Sequence, residues 1–360
     1  MTASRSALRK AKRAVVKIGS SALARDASAH DRLAHAIGVL RKRSISVVLV
    51  SSGAIALGAR KLGYRTRPKE MARLQAAAAA GQSLLMRAYE EAFGKEGIAV
   101  AQVLLTHADL ADRVRANNAR AALGALLEAG AVPILNENDS VAVDEIKFGD
   151  NDELSAMVTP LVAADVLVLL SDVEGLLAPD GERVSVVRDV AAEALPLVRA
   201  KEKSDVGTGG MASKIEAARR ATLAGAHVVI ADARKDDVIE RIFDGEDEGT
   251  LFVADARRLP AKKHWIAFTL RPRGDVWLDA GATAAVRTKG KSVLAIGVAG
   301  VRGDFREGDS VRVLAPDGTE VGRGLARCSV MDAVLLAGRK KKSDDGQDDV
   351  LVHRDDLVVW

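Results

Sequence analysis

The chain is expected to form a doubly wound, mainly parallel α/β sheet over residues 1–258, then a linker at 259–274 and a small β-barrel domain over 275–360. Three features predict this. Up to about residue 255, short apolar runs alternate with segments of helical period, and strand and helix in alternation build a parallel sheet. From Pro260 to Gly274 the texture breaks into Lys262, Lys263 and Arg271-Pro272-Arg273-Gly274, the composition of a connection. Beyond it, short runs are separated by Gly, Asp and Pro with no long helical period, as in a small barrel.

The strand candidates, in order, are Ala14 to Ile18, Ile45 to Val50, Ile98 to Leu104, Val132 to Leu135, Val166 to Leu170 and Val228 to Ala231. Each is almost continuously apolar, as a strand covered on both faces must be. Between them, Leu33, Ile37 and Leu40 recur at helical spacing, and Met71 to Phe93, Asp109 to Ala129, Asp152 to Ala163 and Met211 to Leu223 read as helices. In the last third, Val276 to Leu278, Val293 to Val298, Ser310 to Leu314 and Val321 to Leu325 read as short strands, and Arg339 to Asp349 as a solvated loop.

Composition narrows the function. With 360 residues, 48% hydrophobic and 28% charged, the chain has ample apolar material for two cores, which excludes disorder as its main state. The longest stretch free of charge, Ser44 to Ala59, falls short of the roughly 18 to 20 apolar residues of a membrane span. The apolar run after the basic N-terminus is interrupted at once by Lys17, which leaves no apolar signal core, so a cytoplasmic location and no membrane association are expected. A lone cysteine, Cys328, excludes an intrachain disulfide and a cysteine-based zinc site. The six histidines share no metal-like spacing, and no protein-ligated metal site is read. Residues 275–360 carry 13 Lys/Arg against 14 Asp/Glu, a balance that argues against RNA binding there.

In an open parallel sheet, ligands bind beyond the carboxyl ends of the strands, so the residues just after each strand are informative. Here they are polar. The first strand runs into Lys17-Ile18-Gly19-Ser20-Ser21 and the second into Ser51-Ser52-Gly53-Ala54, turns that let backbone amides and an ammonium approach an anion. The fourth runs into Asn136-Glu137-Asn138-Asp139, and a second acid-amide cluster, Gly149-Asp150-Asn151-Asp152-Glu153, opens a helix. Taken alone the second is an ordinary cap; together the two offer carboxylates and amides for an ammonium and a metal-bound nucleotide. Ser171-Asp172 closes a further strand. The most specific signal is Gly207-Thr208-Gly209-Gly210-Met211-Ala212-Ser213-Lys214, where bare amides, a helix start and a cation converge as phosphates require. It is not the G-x-x-x-x-G-K-[ST] loop. It also fits G-x-G-x-x-A, with Asp232 about 20 residues on, but the charged residues Arg199 to Asp205 stand where a dinucleotide site needs a buried strand. No G-x-S-x-G elbow is present. Two separated lysines, a Gly-rich loop and carboxylates point to phosphoryl transfer, which rests on positioning and charge stabilisation.

The motifs VVKIGSS (Val15 to Ser21), VSSGAIALG (Val50 to Gly58), PILNENDSV (Pro133 to Val141), FGDNDELSA (Phe148 to Ala156) and GTGGMASK (Gly207 to Lys214), with DAGATAAV (Asp279 to Val286) and VHRDDLV (Val352 to Val358), resemble the bacterial glutamate 5-kinases over nearly the whole chain. In that family an amino acid kinase domain precedes a PUA domain. The resemblance implies catalytic roles for Lys17, Asp152 and Lys214, the lysines flanking the transferred phosphoryl group and Asp152 orienting them. It implies that Ser52, Asp139 and Asn151 bind the amino and carboxyl groups of L-glutamate, while its γ-carboxylate attacks ATP. Lys17, Ser171, Asp172, Thr208, Gly209, Gly210, Met211, Ala212, Ser213 and Lys214 are the implied nucleotide contacts, with Mg²⁺ bridging the phosphates. The product would be glutamyl 5-phosphate, on the way to proline. Two departures stand out: Ser171 replaces the usual Thr, and Leu177 a common Tyr on the adenine side.

The resemblance further implies a homo-oligomer. Proline shares the α-carboxylate and cationic amine of glutamate but has no γ-carboxylate, so inhibition by proline at the same residues is expected. Ser140 to Gly149, with Val141, Val143 and Ile146, is the segment expected to tell the two ligands apart, or else to pack a subunit contact.

Overall fold

The computed structural model describes residues 4–25, 28–141, 151–202, 209–256, 258–339 and 350–360. The chain divides into two compact units, Met1–Arg258 and Leu259–Trp360.

The first unit is built on an eight-stranded sheet: β1 Arg13–Ile18, β2 Ser46–Ser51, β3 Val100–Leu105, β4 Val132–Glu137, β5 Val166–Ser171, β6 Val186–Val187, β7 His227–Asp232 and β8 Thr250–Phe252. Its order is β3-β4-β2-β1-β5-β7-β8-β6, and every pairing is parallel except β7 with β8. All six strands expected from the sequence are present. The pairs β6 and β8 were not legible, because two or three residues are too few to show a period.

Near-continuous apolarity in these strands has a direct structural counterpart. Val16, Val168 and Val229 face one layer, packed with Leu33, Ile37, Leu40, Tyr89 and Phe93. Their neighbours Val15, Leu167 and Val228 face the other, packed with Leu154, Met157, Leu161 and Ile215. Successive side chains leave a strand on opposite faces, so a sheet with helices on both sides demands apolar residues at every position.

Two features hold the frame around the C-terminal edge. The helices Ala54–Lys61 and Met71–Lys95 cross in backbone contact, since a Cβ at Gly58 would lie 1.7 Å from the Ala77 carbonyl oxygen and one at Gly81 would lie 1.8 Å from that of Ala54. The short helix therefore keeps a fixed position directly after Ser52. At the other end of the sheet, Arg5 is 2% exposed and donates to the carbonyls of Ser185, Glu246, Glu248 and Gly249, clasping the N-terminal turn onto the segments around β6 and β8.

The second unit holds a six-stranded sheet of β9 Gly274–Leu278, β10 Val293–Leu294, β11 Val298–Gly303, β12 Ser310–Leu314, β13 Glu320–Ala326 and β14 Val350–Val359, in the order β10-β14-β13-β12-β9-β11. The pairs are antiparallel except β9 with β12. Two helices, Ala280–Lys289 and Val330–Leu336, accompany it, where the sequence showed no long helical period; at ten and seven residues they are too short for one. The stretch read as a linker is helical over Ala261–His264 and Trp265–Thr269 and buries Ile266, Ala267 and Phe268.

Candidate active site

The ends of five strands, β1, β2, β4, β5 and β7, and the starts of three helices meet at the carboxyl edge of the first sheet. Lys17 lies near the end of β1, with only 6% of its surface exposed. Asn151 and Asp152 open the Asn151–Leu161 helix, and Asp152 is fully buried. Lys214 is in the second turn of the Gly209–Leu223 helix and 8% exposed. Across these elements, Lys17 Nζ lies 2.6 Å from Asp152 Oδ1 and Lys214 Nζ lies 3.0 Å from Asp152 Oδ2. Lys214 Nζ also donates to the Gly210 carbonyl at 3.1 Å, and Ser213 Oγ reaches Asp152 Oδ2 at 3.3 Å.

Burial opposes the charged form of Asp152 and would push its carboxyl up, but the two ammonium groups outweigh it and hold the carboxyl below the ordinary range. One buried anion thus fixes two cations that would otherwise repel each other, leaving a net positive centre in a site of low dielectric.

Asn151 organises the other side of the helix start. Its Nδ2 group donates to the Ser51 carbonyl at 2.7 Å, to Ser52 Oγ at 2.7 Å and to Asn136 Oδ1 at 3.0 Å. Ser51 is itself bonded to the buried Tyr89 hydroxyl at 2.7 Å, which ties the end of β2 to the long helix. These bonds set the floor of a cavity of about 450 Å³ that also exposes Glu137 and Asp139. Arg60, Tyr64, Arg65 and Arg67 form part of its wall.

A second cavity, of about 530 Å³, lies beyond the ends of β5 and β7. Ser171, Asp172, Gly210, Met211 and Lys214 line it, together with Leu177, which is 41% exposed there. Arg234 closes one side: it forks onto Asp232, with Nε 2.8 Å from Oδ1 and Nη2 2.6 Å from Oδ2, and donates from Nη2 to the Asp172 carbonyl at 3.1 Å. That hydrogen bonding holds the Asp232 carboxyl below its usual range. The Asp152 clamp joins the two cavities, since Asn151 lines the first and Lys214 the second.

The structure brings together Lys17, Ser52, Asp139, Asn151, Asp152 and Lys214, and separately Ser171, Asp172, Gly210 and Met211. Gly209 starts its helix, while Ala212 turns inward and packs against the core instead of lining the cavity. Thr208 and residues 142–149 of the segment expected to discriminate proline lie outside the described residues. Sequence reasoning missed the arginine wall and Arg234. It took Asn136 and Glu137 only as members of an acid-amide cluster. The signal for the wall was available: Arg60 to Lys69 holds five cations and no acid.

The chain matches known protein families and relatives. The sequence model of the amino acid kinase family matches residues 12–232, and that of the PUA domain matches residues 274–344. The chain is 45% identical to the glutamate 5-kinase of Trichlorobacter lovleyi, over 99% of this chain and 98% of that protein. It is 46% identical to the glutamate 5-kinase of Cupriavidus metallidurans, over 98% and 99%, and 47% identical to that of Variovorax paradoxus, over 98% and 97%. Among the described residues no helix is long and apolar enough to cross a membrane. A family match across more than half of the chain, and relatives near half identity along almost all of it, leave one conclusion: the chain belongs to the amino acid kinase family, among its glutamate 5-kinases.

Proposed function

We propose that the chain transfers the γ-phosphoryl group of ATP to the γ-carboxylate of L-glutamate, forming L-glutamyl 5-phosphate and ADP, the first step toward proline, in the cytoplasm. The observation that carries this reading is the Asp152 clamp: one buried carboxylate holds Lys17 and Lys214, while its sequence neighbour Asn151 lines one cavity and Lys214 lines the other. A γ-carboxylate oxygen attacks the γ-phosphorus in line, the new P–O bond forms, and the bond to ADP breaks with the electron pair leaving on ADP. Lys17 and Lys214 face the charge that accumulates on the transferred group; Asp152 keeps both within reach of it without neutralising them fully. Ser52, Asn151 and Asp139 hold the backbone end of glutamate, Asp139 as the natural partner of its ammonium.

Mg²⁺ enters as the complex with ATP. Ser171, Asp172 and the start of the Gly209–Leu223 helix line the nucleotide cavity, the helix offering backbone N–H groups to phosphate oxygens. Proline is expected to inhibit by occupying the cavity of the glutamate backbone end, and the chain to self-associate. The reaction is tested by trapping the acyl phosphate with hydroxylamine in the presence of ATP and, separately, glutamate, aspartate or acetylglutamate. Hydroxamate only with glutamate is the expected result; equal or greater yield with another acid would remove the assignment.

A further inference from the structure

Resting on the reading of the 450 Å³ cavity as the amino-acid subsite, we infer that Arg60, Arg65 and Arg67 bind the α-carboxylate of the substrate and select for an anionic amino acid at that end. Zwitterionic glutamate brings two carboxylates and one ammonium. The cavity offers Glu137 and Asp139 to the ammonium, and the only cations in its described lining are these three arginines.

Position settles which carboxylate they meet. Asn151 lines the cavity and is next in sequence to the buried Asp152, so the γ-carboxylate reaches past it to Lys17 and Lys214. The α-carbon end therefore points outward, toward the wall formed by the last turn of the Ala54–Lys61 helix and the segment after it. All three arginines are exposed, and among the described residues none has an ion-pair or side-chain hydrogen-bond partner. Their guanidinium groups are free to take up a carboxylate, and arginine does so with two parallel N–H donors. With Lys61 and Lys69 they give residues 60–69 five positive charges and no negative one, a local field that draws anions into the cavity mouth.

A rival holder of the α-carboxylate exists in the same cavity: the backbone of Gly53 to Ala56, at the start of the Ala54–Lys61 helix. The test separates the two. Initial rates are measured at saturating Mg·ATP with glutamate and with its α-amide, which keeps the γ-carboxylate and loses the α-charge, in wild type, Arg65→Gln/Arg67→Gln and Arg60→Gln. The α-amide is scored as a substrate, or as a competitor if it is not turned over.

The double variant is expected to raise the glutamate KM about tenfold with kcat within a factor of two, and to leave the α-amide constant unchanged, so that the preference for glutamate collapses. Raising salt from about 0.05 to 0.5 M should raise the wild-type glutamate KM and barely move that of the variant. Preference and salt dependence that both survive in the two variants would overturn the inference in favour of the helix start. Equal weakening of both ligands would overturn it in favour of a merely structural role. Asp139→Asn serves as the control: if it leaves both constants unchanged, the amino-acid cavity itself has been misplaced, a failure distinct from that of the arginines.

Discussion

Asp152 answers two opposing demands, burial that favours its neutral form and two ammonium groups that favour the anion, and the ammonium groups prevail. A carboxyl held low in the folded state adds stability that is complete above the unfolded value of about 3.9 and is lost as pH falls through the lower folded value. Asp152→Asn also leaves Lys17 and Lys214 facing each other without their anion. It is expected to melt below wild type at pH 7, with the gap narrowing as pH drops below about 4; no gap at pH 7, or a gap that stays constant across that range, would show that the ionised clamp adds no stability. For chemistry, Lys214→Ala is expected to lower kcat by roughly 10² to 10³ while changing the glutamate KM only a few-fold, because its charge acts mainly in the transition state. An unchanged kcat would remove Lys214 from the reaction. These three residues were legible because each sits in a polar motif at a strand end or helix start. Arg234 was not, since its place in the nucleotide cavity depends on β5 and β7 pairing so that Ser171 lies beside Asp232, a contact between residues 61 positions apart.

At the scale of elements, the long strands and helices were readable because burial on two faces imposes apolarity at every strand position and a 3.6-residue period on each helix. What the pattern could not show was how closely two helices approach. Gly58 and Gly81 are both helical, where glycine is intrinsically poor, and their use becomes clear only in the crossing of Ala54–Lys61 with Met71–Lys95. Each occupies a spot where a Cβ would penetrate backbone rather than a movable side chain. Gly58→Ala is accordingly expected to cost at least about 2 kcal/mol and to lower the melting temperature by roughly 5 °C. Because the displaced helix begins directly after Ser52 and Gly53, the glutamate KM should rise with little change in the ATP KM. A variant with wild-type melting would show that the helices part without penalty. The Ala280–Lys289 helix illustrates the converse, a short element marked by its ends and not by its period: Asp279 accepts from Ala282 N at 2.7 Å and Gly290 closes it at φ 56°. Both signals stand in the sequence and outrank the weak internal pattern.

For the molecule as a whole, the division of labour follows from where the site residues fall. Every described group of both cavities and of the Asp152 clamp lies between Lys17 and Arg234, inside the unit Met1–Arg258, which carries its own two apolar layers. The second unit has a separate core, and its buried Asp275 occupies two of its basic residues, Arg302 at 2.7 Å and Arg312 at 2.6 Å, while the whole of residues 275–360 carries a net charge of −1. Binding of tRNA measured at two salt concentrations is expected to be weak, because few phosphates can be neutralised by such a domain. A chain ending at Arg258 is then expected to fold cooperatively and to phosphorylate glutamate with a kcat within a few-fold of the full-length value, because no group facing either cavity is removed. The helical segment from Ala261 to Thr269 belongs to the second unit and departs with it. The two readouts must be taken together. A cooperative melt with activity retained supports a self-sufficient catalytic unit; a cooperative melt with activity lost would assign the C-terminal domain a part in the reaction itself; and loss of the melt would show that the first unit depends on the second for its fold.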